Sequence, residues 1–237
     1  MTDRIPLIFL PGLLCDAALW APQCEGLADI ADCRVMDMTL DDTMIGMASR
    51  VLDTAPAKFH LAGLSMGGYC ALEITRVAPE RVERLALLDT SSEPDTQERT
   101  DIRRQLINKA GQGDEAFAEV VEDHLQTFVH PDRLSDDALM ATIRGSAHNV
   151  GAAAYGRQQA AIIGRRDQRP NLAKITCPTL VMCGRQDGLT PLALHEDIQA
   201  GIPGARLHVI EDSGHLPTLE RPDAVNAALR AWLEGPS

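Results

Sequence analysis

Lys58-Phe59-His60-Leu61-Ala62-Gly63-Leu64-Ser65-Met66-Gly67-Gly68 places a serine between two glycines at the point where an apolar run gives way to a helical period. Phe59 to Leu64 has the length of a buried strand, and Tyr69, Cys70, Ala71, Leu72, Ile74 and Val77 follow as a buried helix would. A strand that turns at once into a helix leaves room only for small residues two before and two after the serine. The serine then stands at the tip, and the first free N–H groups of the helix favour an anion beside it. At this chain's glycine and serine content the pentapeptide arises by chance about once in twenty such chains, so the flanking strand and helix carry much of the weight.

The chain has 237 residues, long enough for one large core and short for two independent domains, and one folding unit is expected. Charged residues make up 24% and hydrophobic ones 45%, which excludes a disordered or membrane-embedded composition. Acids outnumber bases by 34 to 22, are scattered along the chain, and give a net charge of −12 that would repel a phosphate backbone. Nucleic acid is therefore not an expected partner; a small-molecule substrate is. The apolar run Pro6 to Leu14 is interrupted by Pro11 and Gly12, unlike a secretion signal, and no run reaches the length of a membrane span, so the expected address is the cytoplasm. Cys15, Cys24, Cys33, Cys70, Cys177 and Cys183 form no C-x-x-C pair or metal spacing and are read as buried free thiols. Cys15 stands near a loop that matters below and is a site for a labelling test.

Outward from the elbow, Ile5 to Leu10, Cys33 to Met38, Arg84 to Leu88, Thr179 to Cys183 and Arg206 to Ile210 also read as buried strands. Helical periods over Met44 to Leu52, Met66 to Val77, Leu192 to Ile198 and Val225 to Leu233 separate most of them, the last with Val225, Leu229 and Trp232 on one face. Alternating strands and helices imply an α/β fold, a mostly parallel sheet with helices on both faces. From Ser91 to about Asn171 the rhythm fails, with helical stretches at Phe117 to Phe128, Leu139 to Ile143 and Tyr155 to Ile163. That interval is too long for a connection and is expected to be a helical cap. The expected division is a core of 1–90 and 172–237 and a cap, or lid, of 91–171.

A serine hydroxyl needs a general base in hydrogen-bond reach and a third group to orient that base. Of seven histidines, His60 lies in the strand before the serine and is expected to point into the sheet. His124, His130 and His148 fall in the insertion, and His195 and His208 in a late helix and strand. His215 follows the strand Arg206 to Ile210 and the turn Glu211-Asp212-Ser213-Gly214, at a strand's carboxyl end where ligand sites of open α/β sheets gather. The same placement selects two acids, Asp187 after Thr179 to Gly184 and Asp89 after Leu85 to Leu88. Asp187 is favoured partly because Asp89 can instead cap the insertion. Singly, each has a plain structural alternative: Ser65 as a small residue at a helix start, Asp187 as a cap, His215 as a loop histidine. Their joint placement at three strand ends favours the chemical role.

The order Ser65, Asp187, His215 resembles the α/β-hydrolase superfamily, which also favours Asp187 over Asp89. The resemblance includes Phe9-Leu10-Pro11-Gly12-Leu13-Leu14, Gly184-Arg185-Gln186-Asp187-Gly188-Leu189-Thr190-Pro191 and Asp212-Ser213-Gly214-His215-Leu216-Pro217, and covers nearly the whole chain. It is greatest with small bacterial esterases and C–C hydrolases bearing a helical cap. Many relatives have His-Gly where this chain has Pro11-Gly12. The resemblance implies an oxyanion hole at the backbone N–H groups of Leu13 and Met66. A serine nucleophile disfavours dehalogenase and epoxide hydrolase chemistry, as does a lid whose only tyrosine is Tyr155.

These readings lead to a serine hydrolase acting on small, largely apolar esters, with Leu14, Leu189 and Leu216 expected beside the catalytic loops as a substrate pocket. His148, Asn149, Arg157 and Gln158 can orient a polar group of the substrate or solvate the lid. No metal or organic cofactor is expected, since there is no H-E-x-x-H helix or dinucleotide glycine pattern. Two alternatives stand beside the esterase: a C–C hydrolase or enol-lactonase with the same triad, and an inert binding protein on the same fold.

Overall fold

Six apolar runs pair in the order β2-β1-β3-β4-β5-β6, all parallel. They are β1 (Ile5–Leu10), β2 (Ala31–Val35), β3 (Phe59–Leu64), β4 (Val82–Leu88), β5 (Thr179–Gly184) and β6 (Arg206–Ile210), in a computed structural model that describes residues 4–235. β3 and β5 are buried along their whole length, as unbroken apolar runs in a sheet covered on both faces must be. The edge strands β2 and β6 alternate instead.

β2 lies earlier than the Cys33 to Met38 expected for it. Its register sets Ala31 opposite Ile5 and Val35 opposite Phe9. β1 ends at Leu10 before Pro11, which has no N–H to donate, so after one further bond from the Met36 N–H to the Phe9 carbonyl the ladder stops.

The helices of the sheet are α1 (Ala21–Gly26), α2 (Met44–Thr54), α3 (Met66–Val77), the short α7 (Arg169–Leu172), α8 (Leu192–Gly201), the short α9 (Pro217–Glu220) and α10 (Pro222–Glu234). The chain steps one way from β1 to β2 and the other way from β2 through β6. Right-handed crossovers therefore send α1 to one face and α2, α3 and α8 to the other. α10 packs on α1 and α2 on α3, in keeping with that division. The stripe Val225, Leu229 and Trp232 is buried, while Val77, in the last turn of α3, is exposed.

Between β4 and β5 lie α4 (Gln97–Ala110), α5 (Asp114–Phe128) and α6 (Asp137–Ile163), packed on one another. α6 joins the two expected stretches, Leu139 to Ile143 and Tyr155 to Ile163, across a break at Gly151, whose φ is 73°. α4 carries no apolar stripe: it buries only Thr100 and Ala110 and leaves Ile102 exposed. Phe117, Val121 and Tyr155 of the insertion belong to the same continuous core as the strands.

Among the described residues no helix is long and apolar enough to cross a membrane. All six cysteines are free; Cys15, Cys70 and Cys183 are buried as expected, whereas Cys24, Cys33 and Cys177 are half-buried.

Candidate active site

Ser65 occupies the sharp turn between β3 and α3 with φ 55° and ψ −115°. Its N–H donates to the Leu88 carbonyl at 2.9 Å, and its own carbonyl accepts from the Thr90 hydroxyl at 2.8 Å, so the end of β4 pins the elbow. A Cβ at Gly63 would collide with the Gly67 carbonyl, and one at Gly67 with the Leu10 carbonyl. Both glycines are thus fixed by backbone passing backbone at close quarters.

The structure brings Ser65, His215 and Asp187 together although 150 residues separate the first two. The Ser65 hydroxyl lies 2.8 Å from His215 Nε2, and His215 Nδ1 lies 2.8 Å from Asp187 Oδ2. A carboxylate only accepts, so Nδ1 carries the proton and Nε2 is free to take one from the serine. Asp187 Oδ2 also accepts from the Thr190 hydroxyl at 2.5 Å, and Oδ1 from the N–H groups of Leu189 and Thr190 at 2.8 and 3.1 Å. Burial would push this carboxyl up; the charge and hydrogen bond of His215, with the Thr190 bonds, outweigh it and hold Asp187 well below the usual carboxylate range. The line can move a proton from hydroxyl to imidazole while a fixed negative charge stabilises the resulting cation.

Asp89, the competing acid, ends β4 with φ 44° and is fully buried. Its Oδ1 accepts from the Gly184 N–H at 2.8 Å, while Oδ2 has no hydrogen-bond partner. Burial first, and then the charge of Asp187, push its carboxyl well above the ordinary range. Asp89, Asp187 and His215 present ligand atoms within 4.8 Å of one another. With Nδ1 committed to Asp187 and Asp89 driven towards its neutral form, the cluster is a hydrogen-bonded assembly rather than a set of free metal ligands.

Glu220 has no counterpart among the expected site residues. It is 2% exposed, and its Oε1 accepts from the Gly214 and Leu216 N–H groups at 2.9 and 3.3 Å, on either side of His215. Oε2 accepts from the His130 N–H at 2.7 Å, and the His215 N–H donates to the Phe128 carbonyl at 3.0 Å. The histidine loop is therefore tied to the end of α5. Pro217-Thr218-Leu219-Glu220 has no periodicity that would single out its glutamate.

A cavity of about 240 Å³ opens beside Ser65. Leu13, Leu189 and Leu216 line it from the sheet side, and Ile102, Leu106, Phe128 and Ile162 from the insertion. Its charged wall residues are Arg99 and Arg103, and Arg103 is already held by Asp95 and Gln159 at 3.1 and 2.8 Å. His124 in the wall accepts from the Tyr155 hydroxyl at 3.0 Å; burial, with help from Arg103, brings it down to about 4, so it is neutral at pH 7. The Cys15 thiol donates to the Leu13 carbonyl at 3.3 Å and is pushed up to about 12, chiefly by burial, which keeps it unreactive.

Leu14 does not reach the cavity expected for it. Its φ of 60° turns the side chain into the core, where it is fully buried. His148, Asn149, Arg157 and Gln158 do not line the cavity either: His148 packs edge-on to Phe117, and the other three reach core loops. The N–H groups of Leu13 and Met66 donate to no other group among the described residues.

Residues 7–228 match the Alpha/beta hydrolase family. A pimeloyl-[acyl-carrier protein] methyl ester esterase of Aliivibrio salmonicida is 27% identical over 246 residues, which cover 96% of this chain and 92% of that protein. A 3-oxoadipate enol-lactonase of Acinetobacter baylyi is 26% identical over 230 residues, covering 92% of this chain and 84% of that protein. Among solved structures, a thermophilic esterase from Thermogutta terrifontis superposes with a TM-score of 0.86 at 27% identity, over 97% of this chain and 89% of the other. The family match runs from β1 into α10 and takes in all three strands whose ends carry the serine, carboxylate and imidazole, so the chain belongs to the alpha/beta hydrolase family.

Proposed function

We propose that the chain is a serine hydrolase that cleaves small, largely apolar esters through an acyl-enzyme on Ser65. The observation that carries the reading is the unbroken line from the Ser65 hydroxyl through His215 to Asp187, opening on a mostly apolar cavity. The Ser65 oxygen attacks the ester carbonyl carbon as its proton passes to His215 Nε2, giving a tetrahedral oxyanion. Collapse breaks the bond to the alcohol, which leaves with that proton. Water then enters by the reverse route, with His215 again taking a proton, and the acid departs.

The free N–H groups of Leu13 and Met66 are the donors for the oxyanion, and removing one such donor typically costs about 3 kcal/mol of transition-state stabilisation. Residues 91–171 act as the lid over this site and supply the outer wall of the cavity. The chain's own groups handle every proton and charge in the cycle. Two relatives named for ester hydrolysis support the bond type, and the relative named for an enol-lactone identifies the substrate to compare against it.

The test is Ser65→Ala with folding checked by circular dichroism. Short p-nitrophenyl ester turnover falls by at least about a thousandfold, and a fluorophosphonate probe labels the wild type but not the variant. Full turnover by Ser65→Ala overturns the mechanism; an unlabelled wild type supports the inert binding protein; faster turnover of an enol-lactone or a dienoate than of any ester assigns the chain to the rival bond.

A further inference from the structure

The insertion grips the loop after β1 through buried polar contacts that a simple cover over a cavity does not require. Gly12 to Cys15 is a tight turn closed by the Cys15 N–H on the Gly12 carbonyl at 3.3 Å, with Leu14 at φ 60°, a conformation L side chains rarely adopt. Leu14 is fully buried, so its N–H needs a partner within the protein. Its partner comes from α6, where Gln158 Oε1 accepts it at 3.1 Å. Gln158 is fully buried, and its Nε2 donates to the Met38 carbonyl at 3.2 Å, so the amide is fixed at both ends and cannot be reversed without opposing donor to donor. One residue beyond the turn, Asp16 accepts from the Ser146 hydroxyl at 2.6 Å and from Asn149 at 2.8 Å, both on the far side of the Gly151 break.

We infer that Gln158 is a positioning residue for the oxyanion donor Leu13, so that the insertion assembles the reaction centre as well as covering it. The inference rests on the serine hydrolase reading above. The turn has an easier alternative in which the Leu13–Leu14 peptide rotates and Leu14 returns to negative φ. That rotation takes the Leu14 N–H away from its acceptor and leaves a buried donor unpaired, which is what Gln158 makes unfavourable. The rotation changes ψ of Leu13, so the adjoining Gly12–Leu13 peptide, which carries the proposed donor N–H, must readjust to keep the turn closed; without Gln158 the loop relaxes and the donor drifts. A substrate in the apolar cavity still binds, but charge developing on its carbonyl oxygen meets one donor fewer at the right distance.

The test compares Gln158→Met, which keeps length and removes both hydrogen bonds, with Arg157→Met, which breaks the neighbouring bond of Arg157 Nε to the Thr39 carbonyl without touching the turn. Thermal unfolding of both reports folding. For Gln158→Met, kcat on a p-nitrophenyl ester falls about tenfold to a hundredfold while KM stays within about threefold, since misplacing a catalytic group by an ångström costs up to about a hundredfold. Affinity for a trifluoromethyl ketone, which presents the oxyanion, falls by the same factor as kcat/KM. Arg157→Met keeps wild-type kcat. Should Gln158→Met fail to fold, Gln158→Asn, which keeps the amide but withdraws it from Leu14 by one methylene, carries the same measurements. An unchanged kcat, a change confined to KM, or an equal loss in Arg157→Met overturns the positioning role. Ser65→Ala keeps the two readings apart: inert Ser65→Ala beside a full-speed Gln158→Met overturns the positioning role alone, and an active Ser65→Ala overturns the reading beneath it.

Discussion

Asp89 and Asp187 end adjacent strands, lie within one cluster, and are shifted in opposite directions, Asp89 up by burial and Asp187 down by His215 and Thr190. Asp187 collects donors from His215, Leu189 and Thr190, whereas Asp89 accepts only from Gly184. Asp187→Asn removes the charge that orients and stabilises the imidazolium, so kcat falls by roughly four orders of magnitude with little change in fold, as read from ester kinetics. Asp89→Asn puts a neutral amide of the same shape where burial disfavours a carboxylate and leaves kcat within about threefold. It also changes stability with a definite sign. The raised folded pKa of Asp89 means that above about pH 4 the unfolded chain releases a proton that the folded chain keeps, so wild type loses stability as pH rises and Asp89→Asn does not. The variant's advantage in urea midpoint therefore grows as pH rises above about 4. Both aspartates were legible as strand-end acids. What separates them, burial and the count of donors, depends on backbone groups that only the fold brings near. Glu220 was not legible for the same reason, and Gln158 was legible only as a lid residue facing substrate or solvent, since His130 is 90 and Leu14 is 144 residues distant from them.

α6 runs through two helical segments whose glycines behave oppositely. Gly151 sits at φ 73° and ψ 164°, a region used almost only by glycine, with nothing within 4 Å of the place a methyl group would take, so the cost of an alanine there is backbone strain alone, about 1 to 3 kcal/mol. Gly145 has equally open space and no positive φ, and there an alanine stabilises by about 0.5 to 1 kcal/mol through the unfolded chain. Urea unfolding of the two variants checks the pair of opposite signs. The two halves of α6 were readable from their apolar spacing, but their continuity was not, because a break in helical path leaves both stripes intact. α4 was not readable because its exposed Ile102 and half-buried Leu106 line the cavity while, Ile107 and Ala110 apart, the rest of the helix is polar or charged, so it has no stripe. β2 was displaced by two residues at its start and three at its end, since its limits are set by where β1 ends, a property of the partner.

Across the molecule, His60, His124 and His195 are each brought down to about 4, in every case chiefly by burial. Their folded values lie below the unfolded value of about 6.5, so their contribution is fully present above that pH and is lost as pH falls towards 4. Burial would raise Asp95 and Glu73, but Arg165 and Arg76 hold them below their usual range, as His215 does Asp187; these contributions are lost below about pH 4. In Asp89→Asn, which removes the opposing contribution of that carboxyl, the urea midpoint is expected to start declining near pH 6.5 and to drop more steeply below pH 4; a midpoint of this variant that stays constant from pH 7 to pH 4 contradicts the assignment of three neutral histidines. The α/β architecture was legible at this scale because alternating strand and helix periods leave few ways to wind a parallel sheet. The serine's strand lies in the middle of that sheet, while the imidazole follows its outermost strand, 150 residues later. At about 5 to 20 residues per second, a ribosome completes the elbow roughly 8 to 30 seconds before it makes the base. For that whole interval the nascent chain carries an ordinary alcohol, and the proposed nucleophile gains its base only once the loop after the sixth strand has been made.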